Sequence, residues 1–339
     1  MDIAQTAAAV AGTAHDGRAR PRVVVGIDGS PGSREALVQA LLAAARRGAD
    51  LEAVSSYSVQ LLYYLSGGPV DVPDVATIRA SQQERARAVV DEVKAEVPVS
   101  GVPGIRDVAI NLFVCDSPPA QALLDRSEGA ALLVVGSRGR GAVRSVLLGS
   151  VALHCVTHAS CPVLVVHPSV SVGSPPRILV GVDGSEGSRA ALAAAIDEAA
   201  RTSAEVEALA TYEEADYWTD LSGIVQLSQE QVVEGLTERT RALVGDVLAE
   251  RGSSEGASSV SVRIEVVRGS AAEMLIHRGA SADLLVVGSR GRGAFRGLLL
   301  GSVALHCAMH APCPVLVVHP KRTRSDTGAA RMAPAVTPH

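Results

Sequence analysis

Residues Arg22 to Ser30 read RVVVGIDGS, and Arg177 to Ser185 read RILVGVDGS. Self-similarity of this kind marks a repeated structural unit, and it continues down the chain. LLVVGSRGRGA starts at Leu132 and again at Leu284, LLGSVALHC at Leu147 and again at Leu299, and CPVLVVHP at Cys161 and again at Cys313. The order is the same in both halves, so the chain is two copies of one unit. A length of 339 residues with 47% apolar content is enough for two domains, each expected to bury its own core. The first domain is read as 21–168 and the second as 177–320, joined by a linker at 169–176 (SVSVGSPP) whose serine, glycine and proline content suits a connector. The tails 1–20 and 321–339 lack apolar periodicity and are expected to be disordered.

Within each copy, short β-branched runs alternate with longer alanine-rich segments of helical spacing, the pattern of βαβ units on a parallel sheet. In the first copy the strands are placed at Arg22 to Ile27, Leu51 to Tyr57, Val108 to Val114, Leu132 to Gly136 and Val163 to His167. The helices are placed at Gly32 to Arg47, Val75 to Val97, Pro119 to Ser127 and Gly149 to His158. The second copy repeats this, with strands at Arg177 to Val182, Glu205 to Tyr212, Ser261 to Val267, Leu284 to Gly288 and Val315 to His319. Right-handed crossovers give the doubly wound order 3-2-1-4-5, with the carboxyl ends of strands one and four flanking the switch point where open α/β sheets bind ligands.

Both recurrent motifs fall at those two ends. The first is Gly26, Asp28, Gly29 and Ser30, repeated as Gly181, Asp183, Gly184 and Ser185. It reads either as turn and capping chemistry or as a carboxylate placed for ribose hydroxyls or a metal ion's oxygen shell. The second is GxxG, nine residues, then GS: Gly136, Gly139, Gly149 and Ser150, and Gly288, Gly291, Gly301 and Ser302. Glycines let backbone N–H groups approach phosphate oxygens, and a helix starting at GS, continuing into Val151 or Val303, presents free amides and the positive end of its dipole. Gly141 and Gly293 extend the loop, and Arg138, Arg140 and Arg144, matched by Arg290, Arg292 and Arg296, add positive charge, with Arg140 and Arg292 the favoured pair.

The same residues exclude other classes. Lys94 and Lys321 are the only lysines, so neither loop is a Walker motif, and no GxGxxG opens a first crossover helix as in a nicotinamide-binding fold. A net charge of -5 argues against nucleic acid or anionic membrane as a general partner. No run is long and apolar enough for a membrane helix, and the alanine-rich start, holding Asp2, has no basic region of the secretory kind, so a cytoplasmic protein is expected. Five cysteines, an odd number, fit reduced thiols.

VGxDGS ending strand one, the GxxGxxxxxxxxxGS loop and the closing CPVLVVHP together make the chain resemble tandem-domain universal stress proteins of the ATP-binding kind, over nearly all of Arg22 to Pro320. The resemblance implies an adenine nucleotide alpha hydrolase-like fold with one ATP per copy. It places Asp28 and Asp183 near ribose or magnesium, Gly136 and Gly288 near ribose, and Gly139, Gly149, Ser150, Gly291, Gly301 and Ser302 on phosphates. Adenine falls to the backbone at Ser56 and Thr211, and Gly26 and Gly181 to the floor of the site. The resemblance also implies that Val163 to Val166 pairs with Val315 to Val318 within the chain, and a homodimer of whole chains and protein partners are further expectations.

Departures concentrate in the first copy, where Ser117, Pro118 and Pro119 replace Gly269 and its neighbours, and Ala131 replaces Asp283, so unequal affinities are expected. His154, Cys155, His158 and Cys161, mirrored by His306, Cys307, His310 and Cys313, read as a zinc set or as small buried thiols beside surface histidines. Tyr57 to Pro73 and Tyr212 to Leu227, with Trp218, hold most aromatics of a chain with 2% of them, suited to covering a base, to an interface or to loop packing. Phosphate donors without a lysine or an aimed base point to a nucleotide-dependent regulatory protein, with a slow magnesium-dependent ATPase and a nucleotide-independent dimerisation module as alternatives.

Overall fold

The computed structural model describes residues 20–58, 74–97, 102–139, 148–167, 175–213, 228–252, 260–293 and 299–320. The first half runs β1 (Arg22–Gly26), α1 (Pro31–Arg47), β2 (Asp50–Tyr57), α2 (Val75–Glu96), β3 (Ile110–Asp116), α3 (Pro119–Ser127), β4 (Leu132–Gly136), α4 (Ser150–His158) and β5 (Val163–Val166). The second half runs β6 (Arg177–Gly181), α5 (Glu186–Thr202), β7 (Glu205–Tyr212), α6 (Gln229–Arg251), β8 (Val262–Arg268), α7 (Ala271–Gly279), β9 (Leu284–Gly288), α8 (Ser302–His310) and β10 (Val315–Val318). Both N-terminal tail residues 1–19 and the tail 321–339 lie outside the described residues, as does most of the linker.

The strands form one sheet of order β3-β2-β1-β4-β5-β10-β9-β6-β7-β8. Each half therefore has the expected order 3-2-1-4-5, with every neighbouring pair parallel. The two halves join through an antiparallel pair in which Leu164 lies opposite Leu316, its own repeat equivalent, as the expected pairing of fifth strands requires. That pairing closes two edges that would otherwise offer unpaired N–H and C=O groups. Strands such as Val23 to Val25, buried at 0%, read as unbroken apolar runs because helices cover both faces of a parallel sheet.

The two faces carry two cores, and each core runs through both halves. On one face Leu37, Leu41 and Val93 share a continuous cluster with Leu192, Ile196 and Val247, and on the other Leu123, Cys155 and Val156 share one with Leu275, Cys307 and Ala308. This corrects the expectation of a separate core in each copy: the antiparallel β5/β10 pair makes the sheet, and hence its covering layers, continuous.

Element ends follow local chemistry. Ser30 accepts the Ser33 N–H at 3.2 Å and caps α1, Pro31 occupies the first turn where no N–H is missed, and Gly48 at φ 57 closes the helix in the left-handed region. The third strand starts later than its pattern predicts, at Ile110, because Ile105–Asp107 forms a single 3-10 turn before it. At the amino ends of the strands each half repeats an ion cluster. Glu52 is 4% exposed and pairs with Arg22 and Arg126, while Glu207 is 9% exposed and pairs with Arg177, Arg263 and Arg278. No helix among the described residues is long and apolar enough to cross a membrane.

Candidate functional site

β1 stops at Gly26, opposite Val54, and the chain turns at Asp28 and Gly29, whose φ of 79 favours glycine. The Asp28 Oδ1 accepts the Ser30 N–H at 2.8 Å, and the Ser33 hydroxyl accepts the Gly29 N–H at 3.1 Å while donating to the Ser30 carbonyl at 3.0 Å. The second half repeats the turn, with Ser185 N–H donating to Asp183 Oδ1 at 2.9 Å and Gly184 N–H to the Ser188 hydroxyl at 3.1 Å. One carboxylate oxygen is thus turn chemistry. The other, Asp183 Oδ2, accepts the Arg292 N–H at 2.9 Å and so straps the turn after β6 to the loop after β9. Enclosure by the two loops works against ionisation of Asp183, but donors from Ser185, Arg292 and Ser188 outweigh it and hold its carboxyl below the usual carboxylate range.

The glycines of the second motif divide by what surrounds them. A Cβ on Gly136 would lie 2.7 Å from the Gly32 carbonyl oxygen, and one on Gly32 would lie 2.6 Å from the Arg138 carbonyl oxygen. The end of β4 therefore lies directly on the first turn of α1, and Gly288 with Gly187 repeats the contact at 2.5 Å. Cβ atoms on Gly139 and Gly291 would lie 2.7 Å and 2.5 Å from Asp28 Oδ2 and Asp183 Oδ2. These positions are small for the strap and the crossing. Gly26 and Gly181 likewise make room for Leu123 and Leu275, at 3.0 and 2.9 Å, on the core side of the strand. Gly149 and Gly301 differ. Their backbone angles, φ -69 and -79, suit any residue, and a Cβ would meet nothing nearer than 3.5 and 3.4 Å.

Ser137 and Ser289, which the sequence reading passed over, close the loop. They are 2% and 1% exposed; Ser137 N–H donates to the Val166 carbonyl at 2.8 Å and its carbonyl accepts the Gly149 N–H at 2.8 Å. Ser289 does the same with Val318 at 2.8 Å and Gly301 at 2.7 Å. The amides of Gly149 and Gly301, expected to point at phosphate, are therefore engaged by the protein itself. The following amides, of Ser150 and Val151 in α4 and of Ser302 and Val303 in α8, open helices that no side chain caps. Uncapped first-turn N–H groups with the dipole's positive end are a ready anion site. Ser56 and Thr211 sit where β2 and β7 run on past the ends of β1 and β6, so their backbone borders the same switch point.

Arg138, Arg290, Arg292 and Gly293 are exposed, and the Arg292 guanidinium lies over Gly184, where a Cβ would meet its Nη2 at 2.5 Å. Arg140, Gly141, Arg144 and Arg296 lie outside the described residues, as do Trp218 and most of both aromatic segments.

Of the departures between halves, one touches the site and one does not. Gly269 has φ 137 and donates its N–H to the Tyr212 carbonyl at 2.9 Å beside the end of β7, a backbone conformation that Ser117 does not share. Asp283 instead lies at the amino end of β9, where its Oδ2 accepts the Arg177 N–H at 2.9 Å, so its replacement by Ala131 alters strand joining at the far end of the sheet. The histidine–cysteine sets come apart. Cys155 and Cys307 are 0% exposed in the core, burial pushing their thiols up to about 12, while His154, His158, His306 and His310 lie on the outer face. Among the described residues no group of three or more potential ligands could hold a metal ion.

The sequence profile described as the Universal stress protein family matches residues 20–167 and 176–319. A universal stress protein of Mycolicibacterium smegmatis is 33% identical over 301 residues, covering 88% of this chain and 97% of that protein. One from Mycobacterium tuberculosis is 33% identical over 306 residues, covering 89% and 97%. Among solved structures, a universal stress protein from Archaeoglobus fulgidus superposes with a TM-score of 0.58 at 20% identity, covering 88% of this chain and 96% of that one, a likeness of fold.

Proposed function

We propose, for a chain that belongs to the universal stress protein family, that each half binds one ATP at its switch point and that occupancy serves regulation rather than turnover. The observation that carries this reading is the pair Gly149 and Gly301. Neither the backbone angles nor the surrounding atoms require glycine there, yet both halves have it immediately before an uncapped helix. A glycine that the fold does not need makes sense where a group outside the chain comes close. The phosphates fall on the amides of Ser150, Val151, Ser302 and Val303, with Arg138, Arg290 and Arg292 as neighbouring charge and Gly293 in the loop after β9; Arg140 and Gly141 belong to this reading by their place in the sequence alone. Ribose lies by Gly136 and Gly288, and adenine by the backbone of Ser56 and Thr211, above the strand ends at Gly26 and Gly181.

Magnesium, when bound, would neutralise phosphate charge. Asp28 and Asp183 are the residues to hold it: Asp183 is kept ionised, and a carboxylate oxygen that accepts one N–H retains a second lone pair. Domains at 21–168 and 177–320 joined by 169–176, and a homodimer of whole chains, belong to the same reading. The dimer would need a surface other than the β5 and β10 edges, which already meet each other.

The test is the nucleotide content of the purified protein, released by denaturation and separated by anion exchange, for wild type and for Gly149→Ala plus Gly301→Ala. The expected result is about two ATP per wild-type chain and none in a variant that melts like wild type. Absence of nucleotide, with no uptake on adding ATP and magnesium, would leave the family's interaction-module reading in its place.

A further inference from the structure

The halves are related by a local two-fold axis through Leu164 and Leu316. Contacts near it come in matched pairs: His167 Nε2 bonds the Ala308 carbonyl at 3.0 Å, and His319 Nε2 bonds the Val156 carbonyl at 3.0 Å. Among the described residues, one charged contact has no mate. Arg47 of α1 pairs across the junction with Glu198 of α5, with side chains only 10% and 13% exposed, and Arg201 joins the same carboxylate at 3.0 Å. Aligning the copies on their DGS turns makes Leu42, Ala43, Arg46 and Arg47 the equivalents of Asp197, Glu198, Arg201 and Thr202. The symmetry mate of the ion pair is therefore Thr202 with Ala43, which carries no charge.

We infer that this junction is coded by charge to accept one first half and one second half, with Arg47 and Glu198 as the code and the second half of the same chain as the occupant. Two first halves brought together by their fifth strands would place Arg47 twice beside the axis, each opposite Ala43 where the mixed pair has Glu198. Two enclosed guanidinium groups would then have no carboxylate at that position, and unpaired charges in a closed interface are strongly disfavoured. Two second halves would bring together two copies of Asp197, each held by its own Arg251, and two of Glu198, each left with Arg201 alone and without Arg47. Only the mixed pairing sets Arg47 against Glu198. Any other protein that docked on the β5 edge of the first half would have to offer a carboxylate at the place of Glu198.

The test uses the full chain and hydrogen exchange at Val163, Val165, Val315 and Val317, whose amides face the partner strand across the junction, whereas Pro162, Val166, Pro314 and Val318 turn their backbone to β4 and β9. Asp197→Leu/Glu198→Ala/Thr202→Arg gives both sides the first half's residues. These amides are expected to exchange at least about tenfold faster than in wild type, while Asp197→Leu alone, a control for the Arg251 pair, does so far less. The exchanged pair Arg47→Glu/Glu198→Arg is expected to stay within about twofold of wild type, and Arg47→Glu alone to open the junction. If the triple variant does not fold, the rescue of Arg47→Glu by Glu198→Arg decides. Wild-type exchange in the triple variant, or failure of the rescue, overturns the code.

Discussion

Replacing Gly136 by alanine would put a methyl carbon 2.7 Å from the Gly32 carbonyl oxygen, 2.8 Å from its carbon and 3.2 Å from the Ser33 nitrogen. All three are backbone atoms of a capped helix start, so relief requires α1 and the end of β4 to separate by several tenths of an ångström. Overpacking of this kind costs about 1–3 kcal/mol. The same substitution at Gly149 meets its nearest atom at 3.5 Å with an ordinary backbone conformation. It should be neutral, or stabilising by a few tenths of a kcal/mol through the unfolded chain. Urea unfolding separates the two, because with a slope of about 2 kcal/mol/M the Gly136 variant loses roughly 0.5–1.5 M in its midpoint. ATP titration supplies the other half of the contrast: Gly149→Ala should lose binding in the first half at unchanged stability. A Gly149 variant as unstable as the Gly136 variant would refute the division of the loop into structural and ligand-facing glycines, and so would a neutral Gly136 variant.

Two further outcomes follow from the same structure. His167 and His319 are held neutral by burial, with pKa values below the ordinary 6.5 and Nδ1 atoms that have no partner among the described residues. The unfolded chain therefore takes up protons first, so their contribution to stability is complete above about pH 6.5 and is lost as pH falls from there through the folded values. Unfolding free energies at pH 7.5 and 5.5 should differ less in His167→Gln/His319→Gln than in wild type, and an unchanged difference would clear the two histidines of this role. Glu207→Gln leaves Arg177, Arg263 and Arg278 around a neutral side chain. Since those arginine side chains are 35% to 57% exposed, the loss should be about 1–3 kcal/mol by denaturation, with ATP binding at the opposite strand ends unchanged.

The architecture was largely legible because its signals are local and doubled. Short β-branched runs such as Val23 to Val25 and Leu132 to Val135, each closed by a glycine, read as strands buried on both faces, and two copies in the same order made the strand order readable twice. The fusion of the cores was not legible, since it depends on β5 meeting β10 and no residue pattern within one copy reports that. At the site, the glycine spacing located the loop but could not sort its members. Gly136 and Gly139 answer to Gly32 and Asp28, which are distant in sequence, and nothing in the sequence around Ser137 announces that its carbonyl holds the Gly149 amide. Asp283 was weighed as a matter of affinity because sequence shows which strand it precedes but not that this end faces away from the crevice. The charge code of the junction is a difference of single residues, Ala43 against Glu198 and Arg47 against Thr202, and gains meaning only once a two-fold axis shows which of them meet.

The most direct measurement is calorimetric titration of the nucleotide-free full chain with ATP and magnesium. The account predicts about two sites per chain in the wild type. Gly149→Ala and Gly301→Ala should each remove one site, and the two together should remove both while the melting temperature holds. A single site that survives both substitutions, or no heat of binding to a folded wild-type chain, would contradict it.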